Sequence, residues 1–140
     1  MDPARTPVII SAGQATERNE ITDPVAAIVG RSGVETGLCS VFLMHTSASL
    51  LITENADPDV RYDLETIIAR LGPDGDPAYR HTMEGPDDMA SHVRSMLTQT
   101  ELSVPVRDGR PALGTWQGVY LWEHRHRPHR RTIEITVQGE

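Results

Sequence analysis

The chain has one cysteine, one phenylalanine, two tryptophans and three tyrosines in 140 residues, and no apolar run that approaches the length of a membrane span. Cys39 cannot close an intrachain disulfide, and its place in an apolar stretch marks it as a small buried side chain, which fits a reducing cytoplasm. With few aromatics the core must rest on Val, Ile, Leu, Met and Ala, and burial between subunits would help it. Positive charge is scarce as well. Thirteen Lys and Arg against twenty Asp and Glu leave a net charge of −7, which argues against general binding to nucleic-acid phosphates. The segment from Met1 to Pro7 lacks the charged start and apolar run of a signal peptide. There is no glycine-rich phosphate loop of the Walker type. What remains is one domain over residues 1–140, large enough for a real core, expected to be cytoplasmic, with no membrane and no nucleic acid as partner.

Taken in order, Val8 to Ser11 and Glu20 to Thr22 read as two short strands of an opening hairpin, joined by the polar segment from Ala12 to Asn19. Pro24 to Arg31 reads as a helix ended by Gly33. Gly37 to Met44 and Ser49 to Thr53 alternate as strands. A helix follows with Asp57 as cap, Pro58 in its first turn and Gly72-Pro73 at its close; Val60, Leu64, Ile67, Ile68 and Leu71 trace one apolar face. Gly72 to Gly85 is a loop. Asp87 to Leu97 reads as another helix, whose stripe of Met89, Val93, Met96 and Leu97 predicts its buried side. Strands return at Leu102 to Val106, with a turn at Asp108-Gly109, then at Gly114 to Glu123. Thr132 to Val137 closes the chain with strict alternation, as in a sheet with one wet face.

Several side chains stand where such elements end. Strand alternation puts Cys39, Val41, Leu43, His45 and Ser47 on one face, so His45 is the polar end of an apolar row, and Glu54 ends the row Leu50, Ile52 in the same way. Each either marks where a strand leaves the core or carries chemistry. Asp63 borders the apolar face of its helix, and His92 sits on the shoulder of the next. His81 lies in the loop between them. Trp116 offers a stacking face and Gln117 an amide, between two glycines that allow close approach. The segment from His124 to Arg131 is the most basic in an acidic chain. Arginines there disfavour a cation and favour an anion, with a solvated hairpin tip as the plain alternative.

His45-Thr46-Ser47-Ala48-Ser49, Glu54-Asn55 with Asp57-Pro58, Arg61 with Asp63, Arg80-His81, Glu84-Gly85 with Asp87-Asp88-Met89 and Ser91-His92, Pro105, and Gly114-Thr115-Trp116-Gln117 with Glu123 together resemble the YjbQ family, whose members look like secondary thiamine-phosphate synthases. The resemblance spans most of the chain, loosely over the first forty residues. It implies an α+β fold, a mainly antiparallel β-sandwich with a few packed helices, assembled as a homotrimer around a polar pocket with a divalent metal, zinc or magnesium. Carried over, His45, His81 and His92 form the metal-binding set, leaving a position open for water. Asp63, Glu54 and His45 are the expected catalytic groups; Ser47, Arg61, Arg80, Thr115, Trp116, Gln117 and Glu123 are the expected contacts to a small phosphorylated substrate. The implied reaction joins a pyrimidine diphosphate to a thiazole phosphate. A metal-dependent hydrolase and a non-catalytic trimeric metabolite-binding protein are the alternatives.

Overall fold

Residues 4–12 and 19–140 are described in the structure, a computed structural model. Strand β1 (Ala4–Ala12) is followed by helix α1 (Thr22–Ser32), strands β2 (Thr36–Leu43) and β3 (Ala48–Glu54), helices α2 (Pro58–Leu71) and α3 (Asp88–Met96), and strands β4 (Glu101–Arg107), β5 (Arg110–Pro111), β6 (Gln117–Glu123) and β7 (His129–Gly139). Two antiparallel sheets result: a five-stranded one in the order β1-β7-β2-β4-β5, and a two-stranded ribbon of β3 and β6. The fold is therefore α+β, with a second layer narrower than a full sandwich.

Cys39, Val41 and Leu43 from β2, Leu102, Val104 and Val106 from β4 and Ile133, Ile135 and Val137 from β7 alternate inward. They meet Leu50 of β3, Val119 and Leu121 of β6, and Val25, Ile28 and Val29 of α1. Period-2 patterning on three neighbouring strands thus builds one apolar face, and the ribbon with α1 covers it. Burial pushes the Cys39 thiol up to about 11, which keeps it protonated. Asp108 and Gly109, at φ 54° and 74°, make the left-handed turn that joins β4 to β5. Gly37 is required by closeness: a Cβ there would lie 2.0 Å from the Gln138 carbonyl oxygen on β7.

Three expectations change. Among the described residues there is no opening hairpin, because β1 pairs with residues 129–137 of β7, while Glu20 only bridges to Tyr120 and Thr22 already starts α1; most of the polar connector lies outside the described residues. α3 turns a different side inward. Ala90, Ser91 and Arg94 are buried, whereas Met96 is 75% exposed and Leu97 is exposed too. Arg94 wins the inner position because Nε donates to the Gly72 carbonyl at 2.8 Å and Nη2 meets Asp74 at 3.3 Å, so its charge goes in satisfied. The third change concerns α2. Its cap forms as read, with Asp57 Oδ1 accepting from Asp59 N at 2.9 Å, but of its apolar face only Ile68 is buried, and Ile67 and Leu71 are exposed. Among the described residues no helix is long and apolar enough to cross a membrane.

Candidate metal centre

α3 begins with two adjacent carboxylates, and its helical period sets Asp88 and His92, four residues apart, on one face. The preceding loop brings His81 to the same place. Pro73 O accepts from the Tyr79 hydroxyl at 2.8 Å, Asp76 Oδ1 accepts from Ala78 N at 2.8 Å and Pro86 O accepts from Gly75 N at 3.0 Å, so this irregular segment is tied down. His81 Nε2 lies 2.7 Å and His92 Nε2 3.2 Å from the same oxygen, Asp88 Oδ2. One donor atom from each residue fits within 4.8 Å of the others. The His81 and His92 rings meet edge to face at 5.5 Å. Asp88 is buried, while both imidazoles reach solvent.

A surrounding shell fixes these donors. His92 Nδ1 lies 3.1 Å from the Thr46 carbonyl oxygen; a carbonyl only accepts, so Nδ1 carries a proton, and the neutral imidazole has its lone pair on Nε2. Arg125 donates from Nη1 to Asp88 Oδ1 at 2.8 Å, from Nε to Asp87 Oδ2 at 3.0 Å and from Nη2 to Glu84 O at 3.0 Å. The backbone N of His126 donates to Asp87 Oδ2 at 2.9 Å. Burial alone would raise the Asp88 carboxyl, but the hydrogen bond to His81 and the charges of His92 and Arg125 outweigh it and hold it below the usual range. Asp87 is lowered in the same way, burial being overcome by the His126 amide and Arg125. The centre thus presents an ionised carboxylate and two imidazoles, one with its tautomer set.

The other expected site residues are placed elsewhere. His45 Nε2 accepts from Thr132 N at 2.8 Å; burial first, then the charges of Arg131 and His129, lower its pKa. Asp88, and not His45, is the residue grouped with His81 and His92. The Ser47 carbonyl accepts from Arg131 Nη2 at 3.3 Å. Glu123 is fully buried, its two oxygens bridged by Arg131 at 2.6 and 2.5 Å, an internal ion pair. Glu54 Oε2 accepts from Asp57 N at 2.9 Å, closing the turn into α2. Asp63 and Arg80 are exposed. Thr115 and Trp116 sit in an exposed turn, where Trp116 O accepts from Asn55 N at 3.0 Å and Gln117 Oε1 accepts from Gly114 N at 2.8 Å. Pairing of Ala48 with Glu123 and of Glu54 with Gln117 sets Glu54 and the Trp116 turn at the far end of the ribbon from Thr46 and His92. Seven residues of β3 intervene, roughly 20 Å at the rise of a strand, so within one chain these residues do not share one small site.

The basic segment is a solvated tip only at its middle, where His126, Arg127, Pro128 and Arg130 are exposed. His124 is fully buried, its Nε2 2.9 Å from Ser49 Oγ, and burial, followed by the charges of Arg94 and Arg131, brings it down to about 3. Arg125 and Arg131 are both engaged with internal carboxylates. Its anions are the protein's own.

The family model described as UPF0047 protein YjbQ-like matches residues 7–140. The chain belongs to the YjbQ family. A YjbQ relative from Synechocystis is 51% identical over 133 residues, covering 95% of this chain and 90% of the relative. One from Salmonella typhimurium is 49% identical, covering 87% and 86%. A crystal structure from Sulfolobus solfataricus, described as a YbjQ-like protein of unknown function, superposes with a TM-score of 0.89 at 26% identity and covers 99% of both chains. A Clostridium acetobutylicum structure of the family gives 0.85 at 29% identity, covering 95% of this chain and 99% of that one. These relatives carry family designations alone, and none names thiamine chemistry. The reading as a thiamine-phosphate synthase is therefore overturned, and the placing of Glu54 and the Trp116 turn at the far end of the ribbon from His92 agrees with that correction.

Proposed function

We propose that the protein binds a divalent transition-metal ion at His81, Asp88 and His92 and presents it to a small molecule bearing an oxygen donor, as a homotrimer. The convergence of His81 Nε2 and His92 Nε2 on the ionised Asp88 carboxylate carries the reading. Two imidazoles and one carboxylate suit zinc or another first-row ion; magnesium takes oxygen donors and keeps its waters. When bound, the ion supplies Lewis acidity to an oxygen ligand at the positions the protein leaves open. His92, held by Thr46, and Asp88, held by Arg125, orient the donors. A cleft of about 400 Å³ that includes His81, Thr82 and Tyr79 adjoins the centre and offers room for a small ligand. The exposed apolar side chains of Ile67, Leu71 and Met96 favour a subunit interface on the α2–α3 side.

The test is metal content and zinc affinity of purified protein by mass spectrometry and calorimetry. His81→Ala, Asp88→Asn and His92→Ala should each lower affinity by at least about tenfold, whereas His45→Ala should retain the ion. Retention in the first three, or loss only in His45→Ala, would remove the assignment.

A further inference from the structure

A second cavity, of about 630 Å³, lies between α2 and the outer face of the β3–β6 ribbon. Its volume falls in the range of small-molecule sites. Leu51 of β3, Leu64 and Ala69 of α2 and the Trp122 ring of β6 give it an apolar body. Arg61 stands on its wall. Nη1 of Arg61 donates to Glu54 O at 2.7 Å and to the Tyr120 hydroxyl at 2.9 Å, and the guanidinium lies 5.1 Å from the Tyr120 ring centre. Those contacts fix the plane of the group and use one nitrogen only. Nε and Nη2, the parallel pair of donors that grips a carboxylate side-on, are buried and have no hydrogen-bond partner among the described residues. Such a pair is costly to leave unmade.

Glu65 and Asp74 on the cavity wall are engaged. Glu65 accepts from Trp122 Nε1 at 2.6 Å, and Asp74 is shared by Arg94 at 3.3 Å and His126 at 2.5 Å. The unmade fork of Arg61 is thus a cationic demand beside a cavity in which the lining charges Glu65, Asp74, Arg94 and His126 are already paired with one another or with Trp122. We propose that this cavity is a binding site for a small monocarboxylate with an apolar body, its carboxylate held bidentate by Arg61 Nε and Nη2. Glu65, Asp74 and Asp59 on the same walls disfavour a phosphate dianion. Nε and Nη2 are covered, so an entering carboxylate reaches them by a local shift of the Arg61 side chain or its neighbours. Nothing in this site requires the metal.

Trp122 reports on the cavity directly. The chain has two tryptophans, so Trp116→Phe leaves Trp122 as the sole emitter. Cyclohexanecarboxylate, which does not absorb with tryptophan, is titrated into that protein as purified and again after chelation. A saturable change in Trp122 emission is expected, the same in both. Cyclohexylmethanol and cyclohexyl phosphate should bind at least about tenfold more weakly (~1.4 kcal/mol). Arg61→Lys, which keeps the charge but not the fork, should weaken the carboxylate by about tenfold as well. Ala69→Phe fills the cavity without touching Arg61 and should abolish binding, with circular dichroism showing a folded chain. No saturable change in the parent protein, equal affinity for the alcohol, tighter binding of the phosphate, indifference to both substitutions or dependence on the metal would each overturn the proposal.

Discussion

Glu123 separates a ligand-binding carboxylate from a structural one, and Glu123→Gln is the perturbation that decides. In the fold its carboxylate is fully buried and bridged by Arg131 Nε and Nη2 at 2.6 and 2.5 Å, while the guanidinium also donates to the Ser47 carbonyl at 3.3 Å. Replacing the anion leaves a buried cation facing a neutral amide. Breaking a buried pair from one side costs about 3 to 5 kcal/mol, out of about 7 to 20 kcal/mol for a chain of this length. At about 3 to 5 °C per kcal/mol for this size, the midpoint of thermal unfolding should fall by roughly 10 to 20 °C. Replacing both partners, Glu123→Met with Arg131→Met, removes the stranded charge and should recover most of the loss. Urea melts and calorimetry on the parent, the two single variants and the double variant provide the cycle. A Glu123→Gln protein within about 1 kcal/mol of the parent would refute the reasoning, as would a double variant no more stable than the worse single.

His124 is neutral in the fold, at about 3, against about 6.5 in the unfolded chain, so the unfolded state binds the extra proton as pH falls between those values. Its contribution is complete above about pH 6.5 and is lost at about 1.4 kcal/mol per pH unit below it; urea melts from pH 7 to 4 should show that slope, and His124→Gln should flatten it. Ser49→Ala leaves His124 Nε2 without its 2.9 Å partner and should cost about 1 to 3 kcal/mol, read by the same melts. Cys39, buried with its thiol raised to about 11, should react with a thiol reagent no faster than the chain unfolds, as timed in increasing urea. Ile67→Lys with Leu71→Lys should dissociate the proposed trimer in sedimentation velocity without melting the monomer, because both side chains face solvent in the single chain.

What could be read in advance was local. Asp57-Pro58 caps α2 because the cap bond spans two residues, and the alternation of Ile133, Ile135 and Val137 fixes the inner face of β7 wherever that strand pairs. The pairing itself was not legible. β1 finds β7 across more than a hundred residues, and no turn chemistry announces such a partner. The same limit explains α3. Its methionines imitate a buried stripe, but Arg94 goes inward because Gly72 and Asp74, some twenty residues earlier, accept its protons. In the candidate centre, the residue types and positions of His81 and His92 were visible, while Asp88 was passed over although its spacing of four from His92 could have found it.

Arg125 explains why that spacing matters. It comes from the segment between β6 and β7, far from α3 in sequence, and joins Asp87, Asp88 and the Glu84 carbonyl. Burial pushes two adjacent carboxylates at 9% and 3% exposure towards protonation. Arg125 adds to the His81 hydrogen bond and the His92 charge at Asp88, and to the His126 amide at Asp87, and together they hold both carboxyls below the usual range. One arginine of the basic segment thus lies against the acidic start of α3, where Arg125 helps to hold Asp88 in the ionised state that the proposed metal would need.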